Sequence, residues 1–519
     1  MKKILLILVC LSSFLKAQEL IPLERLESDE ISTYISIDRA YIEKDKAYKL
    51  KVFQRNTTIP RLIPQLPNLQ ALYMENLYFE EFTNQFGQLK MLQIAAFKSN
   101  KIKVLPDSFV LLQNLRRLDL EKNRFTTFPT PVCALRNLQT LSVQDNDIDR
   151  VPDSIGLLAS IQDLDLSNNY IASVSDSIAL LQTLIKLNLY DNKLKEIPAV
   201  IGNLANLQHL GLGRNPVKNP ETIFEWLPKL SNLTDLSLKG LKIKSLPDDI
   251  DQLSSILHLS LEENQLTSLP MNFYKMKQLF WLDLGNNHID SLSEQIGQLE
   301  NLVWLSLERN DLSELPDSLR FLKKLRYLSL RSMRMKSLPD CISAIPNLEE
   351  LNVSNLQIRR IPKSFGEMKN LRSLNLGFCR YLDQRSTYQV LAELPNLIEL
   401  TMAGADYKSL PAEIGSLQQL QKLTISDNNL RYLPDSIYSL SNLKELYMAD
   451  CELRQLSHKI EQLQNLEILD LRYNTKLKYV PEGIRELKNL KVLYMHNTAL
   501  PQEERDCLQE WLPNTKIYY

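Results

Sequence analysis

Residues 302–324 read LVWLSLERNDLSELPDSLRFLKK, and their spacing decides the fold. Leu302, Leu305 and Leu307 point inward from a short strand, while Val303, Trp304 and Ser306 lie between them and face solvent, because strand side chains alternate. Asn310 follows at the turn, where its amide can donate and accept at once and so satisfy loop backbone groups that burial would leave unpaired. Leu312 and Leu315 continue the core, and Pro316 fixes the backbone where the chain starts back. Leu319 and Leu322 sit three apart, as a helical turn requires. Alone, such a unit buries too little to hold itself together, so it needs copies on either side.

Those copies are present. The unit recurs mostly every 23 residues as L-x-x-L-x-L-x-x-N-x-L followed by x-x-L-P-x-x-I-x-x-L-x-N. Clear copies start at Leu115, Leu138, Ile161, Leu184, Leu207, Ile256, Leu279, Leu302, Leu420 and Leu466. Weaker ones start at Leu69, Leu92, Leu233, Leu325, Leu348, Leu371, Leu397, Leu443 and Leu490, with a degenerate copy near Ala47. This pattern, over residues 47–500, resembles the leucine-rich repeat family in its 23-residue form, as found in bacterial exported proteins. The resemblance implies an α/β repeat solenoid: a curved right-handed horseshoe with a parallel sheet on the concave face and short helices or turns on the convex one. Most parallel sheets are covered on both faces, and this one would leave a face bare.

Residues 18–46, with Leu20, Leu23, Leu26 and Ile31, predict an amphipathic helical cap, and residues 501–519 a closing helix with Lys516, Ile517 and Tyr518 as an edge strand. Two repeats are 26 residues long, and their insertions, at 220–227 and 384–394, each suit a true helix. An asparagine ladder is expected from Asn100, Asn123, Asn146, Asn169, Asn192, Asn215, Asn264, Asn287, Asn310, Asn428 and Asn474. The equivalent position is Leu77, Leu241, Met333, Leu356, Cys379, Ala405, Cys451 or Thr498 elsewhere, so the stretch from Met333 to Ala405 is expected to be the most deformable, unless the change is inert drift.

Residues 1–17 pair Lys2 and Lys3 with an apolar run from Ile4 to Leu11, the pattern of an export signal cleaved after Ala17. Lipidation at Cys10 is the rival reading, disfavoured by the bulky Leu8 and Val9 before it. The run is too short to span a bilayer, and no later stretch predicts a transmembrane segment. The mature chain is therefore expected to be secreted, periplasmic or at the cell surface. Those first 17 residues hold three lysines and no acid, so removing them leaves 58 basic against 62 acidic residues, a net charge of −4. Such a balance gives no electrostatic footprint for nucleic acid. Beyond Cys10, the five cysteines are scattered, with no pair at zinc or disulfide-cap spacing, and read as buried free thiols.

No metal, cofactor or catalytic constellation is visible. The five histidines form no metal-ligand spacing, and no phosphate loop, nucleophile elbow or metalloprotease motif occurs. The informative residues face outward from the sheet. Two positions after each repeat start stand His258, Trp281, Trp304 and Tyr327 in four successive copies, with His209 two copies earlier. Phe280, Glu262, Glu263, Glu308, Arg309 and Arg331 lie beside them. A row of exposed aromatics with a charged border has the composition of a binding hot spot, although rings can also pack on one another merely to shield a bare sheet. A second candidate patch is Tyr447, Arg472, Tyr473 and Tyr494, with His496. The resemblance implies a non-enzymatic scaffold that binds a protein partner. Glycan stacking on the aromatic row, or a structural role in the envelope, are the alternatives.

Overall fold

The computed structural model describes residues 19–55 and 57–519. The expected export signal at 1–17, its cleavage after Ala17 and the rival lipidation at Cys10 lie outside the described residues. The chain divides into two compact units, one ending at Leu241 and the other beginning at Lys242.

Each unit is a solenoid of stacked coils built as the inward leucines dictate. In the first, three-residue strands pair in parallel and in chain order, as in Ala71–Tyr73, Ile94–Ala96, Arg117–Asp119, Thr140–Ser142 and Asp163–Asp165. In the second, the same ladder runs from His258–Ser260 through Trp281–Asp283, Trp304–Ser306 and Tyr327–Ser329 to Lys516–Tyr518. Register is set by the central residue of each strand, nearly always leucine, which faces its equivalent: Leu282 opposite Leu305, and Leu305 opposite Leu328, with Ala95 and Ile517 in that place on two strands. The return path is mostly a 3-10 turn entered at a proline, as at Asp317–Phe321 after Pro316. In the unit at Leu302, Leu302, Leu305, Leu307, Leu312, Leu319 and Leu322 are all fully buried.

Asn310 shows how coils are joined. Its Nδ2 donates to Leu284 O of the preceding coil at 2.8 Å and to Leu307 O at 2.9 Å, and its Oδ1 accepts from Ile289 N at 3.0 Å. Asn123, Asn146, Asn169 and Asn192 repeat this geometry in the first unit. Where cysteine replaces asparagine it keeps the donor: Cys379 Sγ lies 3.3 Å from Val353 O, and Cys451 Sγ 3.1 Å from Ile425 O. A second ladder runs through the last asparagine of the repeat pattern, as in Asn137 to Gln113 O, Asn301 to Lys277 O and Asn347 to Lys323 O. It persists through Asn370 and Asn396, inside the stretch that lacks the first ladder.

Three expectations need correction. Of the two long repeats, only the second carries an α-helix, Gln384–Leu391, capped by the Asp383 side chain. The first forms two 3-10 pieces, Pro220–Glu225 and Leu227–Lys229, because Pro228 lacks an amide and cannot sit inside a continuous helix. Ser306 does not face solvent: it points out of the sheet but is buried beside Ser329 and Asp283, its neighbours in register. The amino-terminal segment is not one helical cap either. Helices Leu23–Glu27 and Ile37–Ile42 flank an edge strand, Thr33–Tyr34, which pairs with Lys49–Lys51. Only the later part closes the end of the stack. Leu26 instead packs on Ala71 and Ile94, on the outward face of the sheet. At the other terminus, helix Gln502–Trp511 buries Leu508, and Lys516–Tyr518 pairs with Val492–Tyr494.

Candidate functional site

The outward row of the second unit follows from register. His258, Trp281, Trp304 and Tyr327 are direct cross-strand neighbours. Rings on adjacent strands about 4.8 Å apart can stack if they stand on edge. Three of the four do. Trp281 and Trp304 lie 4.5 Å apart at 14°, and Trp304 and Tyr327 4.9 Å apart at 3°. His258 meets Phe280 edge-on at 5.8 Å. His209, in the first unit, stands 3.3 Å from Asp235 Oδ2.

This geometry settles what the row presents. Both faces of Trp304 are covered by its neighbours, and the stack offers ring edges as a half-buried ridge. Beneath and beside the ridge runs a buried polar row of Asp283, Ser306 and Ser329. Asp283 accepts from Gly285 N at 2.9 Å. Burial pushes its carboxyl up to about 6, against the pull of that amide, with Glu262 and Glu308 adding to the rise. Glu308 accepts from the Ser329 hydroxyl at 3.3 Å. Arg309 is exposed and holds a left-handed φ of 52° immediately before Asn310. Glu262 and Arg331 are half-buried at the border.

The second patch lies along a shallow, open hollow. Tyr447, Arg472 and Tyr473 line a hollow of about 570 Å³ together with Lys422, Asp427, Asp450 and Asp470. Arg472 is locked by the buried Asp470, with Nε 2.9 and 3.1 Å and Nη2 2.7 Å from its oxygens, and lies 5.0 Å over the Tyr494 ring. The Tyr447 hydroxyl donates to Glu445 at 3.0 Å and is pushed up to about 12, first by burial and then by that carboxylate. Tyr494 is stacked at 5.1 Å by Tyr518 of the terminal edge strand, so the closing segment covers part of this patch.

Sequence reasoning missed three features here: the burial of Asp283, the acidic side of the hollow, and the left-handed position before each asparagine. The last recurs at Lys122, Asp145, Asn168, Asp191, Asn286 and Arg309, with φ between 51° and 53°. None of these is glycine, so composition carried no signal for it. Among the described residues no cluster of candidate metal ligands occurs, and no helix is long and apolar enough to cross a membrane.

Repeated coils joined by polar ladders along one parallel sheet define a repeat solenoid. Comparison with known proteins supplies the family. A leucine-rich repeat region model matches residues 130–239 and 281–403, and a leucine rich repeat model matches residues 231–289. The chain is a leucine-rich-repeat protein. No curated protein sequence matches it. Among solved structures it is similar to a leucine-rich-repeat protein of Leptospira interrogans, at 26% identity and a TM-score of 0.50, covering 94% of this chain and all of that one. It is also similar to the ectodomain of the Arabidopsis thaliana receptor kinase GASSHO1/SCHENGEN3, in complex with CASPARIAN STRIP INTEGRITY FACTOR 2. That match has 21% identity and a TM-score of 0.53, over 94% of this chain and 71% of that one. The plant peptide hormone receptor RGFR1 in complex with RGF2 matches at 19% identity and a TM-score of 0.50, over 90% and 91%.

Proposed function

We propose that this chain is an exported, non-enzymatic scaffold that takes a protein partner on the open face of its sheet, centred on Trp281, Trp304 and Tyr327. The observation that carries this reading is the stack itself. Three large rings stand on edge in a face that the repeat architecture leaves open, bordered by Glu262, Glu308, Arg309 and Arg331. A rigid aromatic ridge loses little conformational entropy on binding, and exposed aromatics with arginine are the residues over-represented at interface centres. The repeat family supports a binding role, and two of the similar folds are receptors solved with ligands.

The stack also separates the two ligand classes. A sugar ring stacks on an open aromatic face, and here the inner faces are spent on each other. A protein surface can instead clasp the edges of the ridge, so a protein partner is favoured over a glycan. Affinity capture with the full chain, beside the Trp281→Ala/Trp304→Ala variant, tests the proposal. Prey held by the parent and lost by a folded variant support it. Unchanged prey remove the ridge from the binding site, and signal on a glycan array that the variant loses transfers the site to carbohydrate.

A further inference from the structure

Residues 19–31, ELIPLERLESDEI, are seated on the first unit as a bound peptide would be. Two glutamines read the backbone. Gln70 Oε1 accepts from Ile21 N at 2.8 Å and its Nε2 donates to Glu19 O at 3.1 Å, the pair of bonds a neighbouring strand would make. Gln93 Nε2 donates to Ile21 O and to Gln70 Oε1, both at 2.8 Å. These amides are 1% and 2% exposed, so they are committed to this contact. Leu26 is fully buried on Ala71 and Ile94, with Ile21, Leu23, Ile31 and Tyr73 around it. Glu27 pairs with Arg117, and Lys49 Nζ donates to Ser28 O at 3.2 Å.

The sheet is shaped for this occupant. The outward position holding Ala71 and Ile94 becomes Arg117, Thr140 and Asp163 on the next strands, so the apolar floor ends where Leu26 ends and the cation begins where Glu27 stands. The occupant cannot hold its own shape. Its helix, Leu23–Glu27, is five residues long and has no side-chain cap, far below the length at which an isolated helix persists. Its order comes from the sheet.

We propose that the strands Ala71–Tyr73, Ile94–Ala96 and Arg117–Asp119 form a peptide-binding site for a segment that enters extended and then makes a short helical turn bearing a leucine followed by a glutamate. Residues 19–31 fill that site in cis as a tethered stand-in. A partner peptide of the same chemistry takes the site when the strap leaves. Because the strap is tethered, its effective concentration is on the order of millimolar, which keeps external peptides out of the unmodified chain. This inference concerns strands other than those carrying the aromatic ridge, so either reading can fail without the other.

The test measures fluorescence anisotropy of a labelled synthetic peptide of residues 19–31 against the full chain and its full-length Leu26→Asp variant. The variant is expected to bind at least tenfold tighter than the parent. Adding Arg117→Glu to the variant should abolish binding of that peptide and restore it for a peptide in which the glutamate after the leucine is lysine. Should Leu26→Asp fail to fold, Glu27→Lys, at an exposed site, expels the strap by repulsion from Arg117, and the same comparison applies. A folded release variant that binds the peptide no better than the parent overturns the proposal, as does binding indifferent to the charge exchange.

Discussion

Replacing Asn310 by alanine removes the polar link between two coils, and its cost follows from three bonds. Asn310 is 3% exposed, so water cannot easily replace it. The substitution strands the carbonyls of Leu284 and Leu307 and the amide of Ile289, which the side chain holds at 2.8, 2.9 and 3.0 Å. A buried group left unpaired costs about 1–3 kcal/mol, so three stranded groups cost about 3–9 kcal/mol, the lower part of that span applying where the coil relaxes. Asn310→Cys gives an internal control. At Cys379 and Cys451 the thiol sulfur reaches the carbonyl equivalent to Leu284 O, so a cysteine at 310 keeps that donor and loses the acceptor. It should cost about 1–2 kcal/mol less than alanine. Because coils contact only their neighbours, the damage should be local. Hydrogen exchange read by mass spectrometry should show faster exchange around residues 284–310, graded alanine above cysteine, and no change around residues 141–190. Equal effects of alanine and cysteine would refute the account, as would uniform acceleration over the whole chain.

The remaining predictions concern single side chains. Burial raises the Asp283 carboxyl to about 6, above its ordinary value of about 3.9, so ionising it opposes folding. The stability it contributes is intact below about pH 4 and is lost as pH climbs through 6, by an amount on the order of 2–3 kcal/mol. Urea titrations of Asp283→Asn should match the parent near pH 4 and show higher stability at pH 8. Gly404 holds a φ of 67°, and an added Cβ would collide with the Phe378 ring. Gly404→Ala should therefore cost about 2–4 kcal/mol, from overpacking and left-handed strain, and the double change with Phe378→Ala should recover the overpacking share in thermal unfolding. Cys133, Cys341, Cys379 and Cys451 are buried, and burial pushes Cys341 up to about 11 and Cys451 up to about 12. In the chain without residues 1–17, a maleimide at neutral pH should label Cys507 alone, the remaining four reacting only after unfolding.

The inward half of this molecule was legible because it is periodic. Leu302, Leu305 and Leu307 face the core for the same reason in every copy, and so the fold class, the strand register and the asparagine ladder all follow from one unit. The alignment of Trp281, Trp304 and Tyr327 was legible for that reason too, since a shared offset from the repeat start becomes adjacency on the sheet. The 3-10 form of the insertion at 220–229 was legible in principle, through Pro228, but the hydrophobic spacing outvoted it.

The outward half was legible in composition and not in contact, and the cause is the same periodicity. A repeat tells each outward residue which strand it sits on, but nothing about what lies above it. Ser306 and Trp304 share one strand and one face, yet Ser306 is 3% exposed while Trp304 stays half-buried, because a short side chain sinks between Asp283 and Ser329 where a ring cannot. Leu26 is the stronger case. Its partners Ala71 and Ile94 lie one repeat apart, and no period links residue 26 to either. What the sequence does hold is a break in the first unit's row: Ala71 and Ile94 are apolar where Arg117, Thr140 and Asp163 on the next strands are polar. In a repeat whose core is settled by rule, the outward position that breaks the solvated pattern marks where something else is meant to lie.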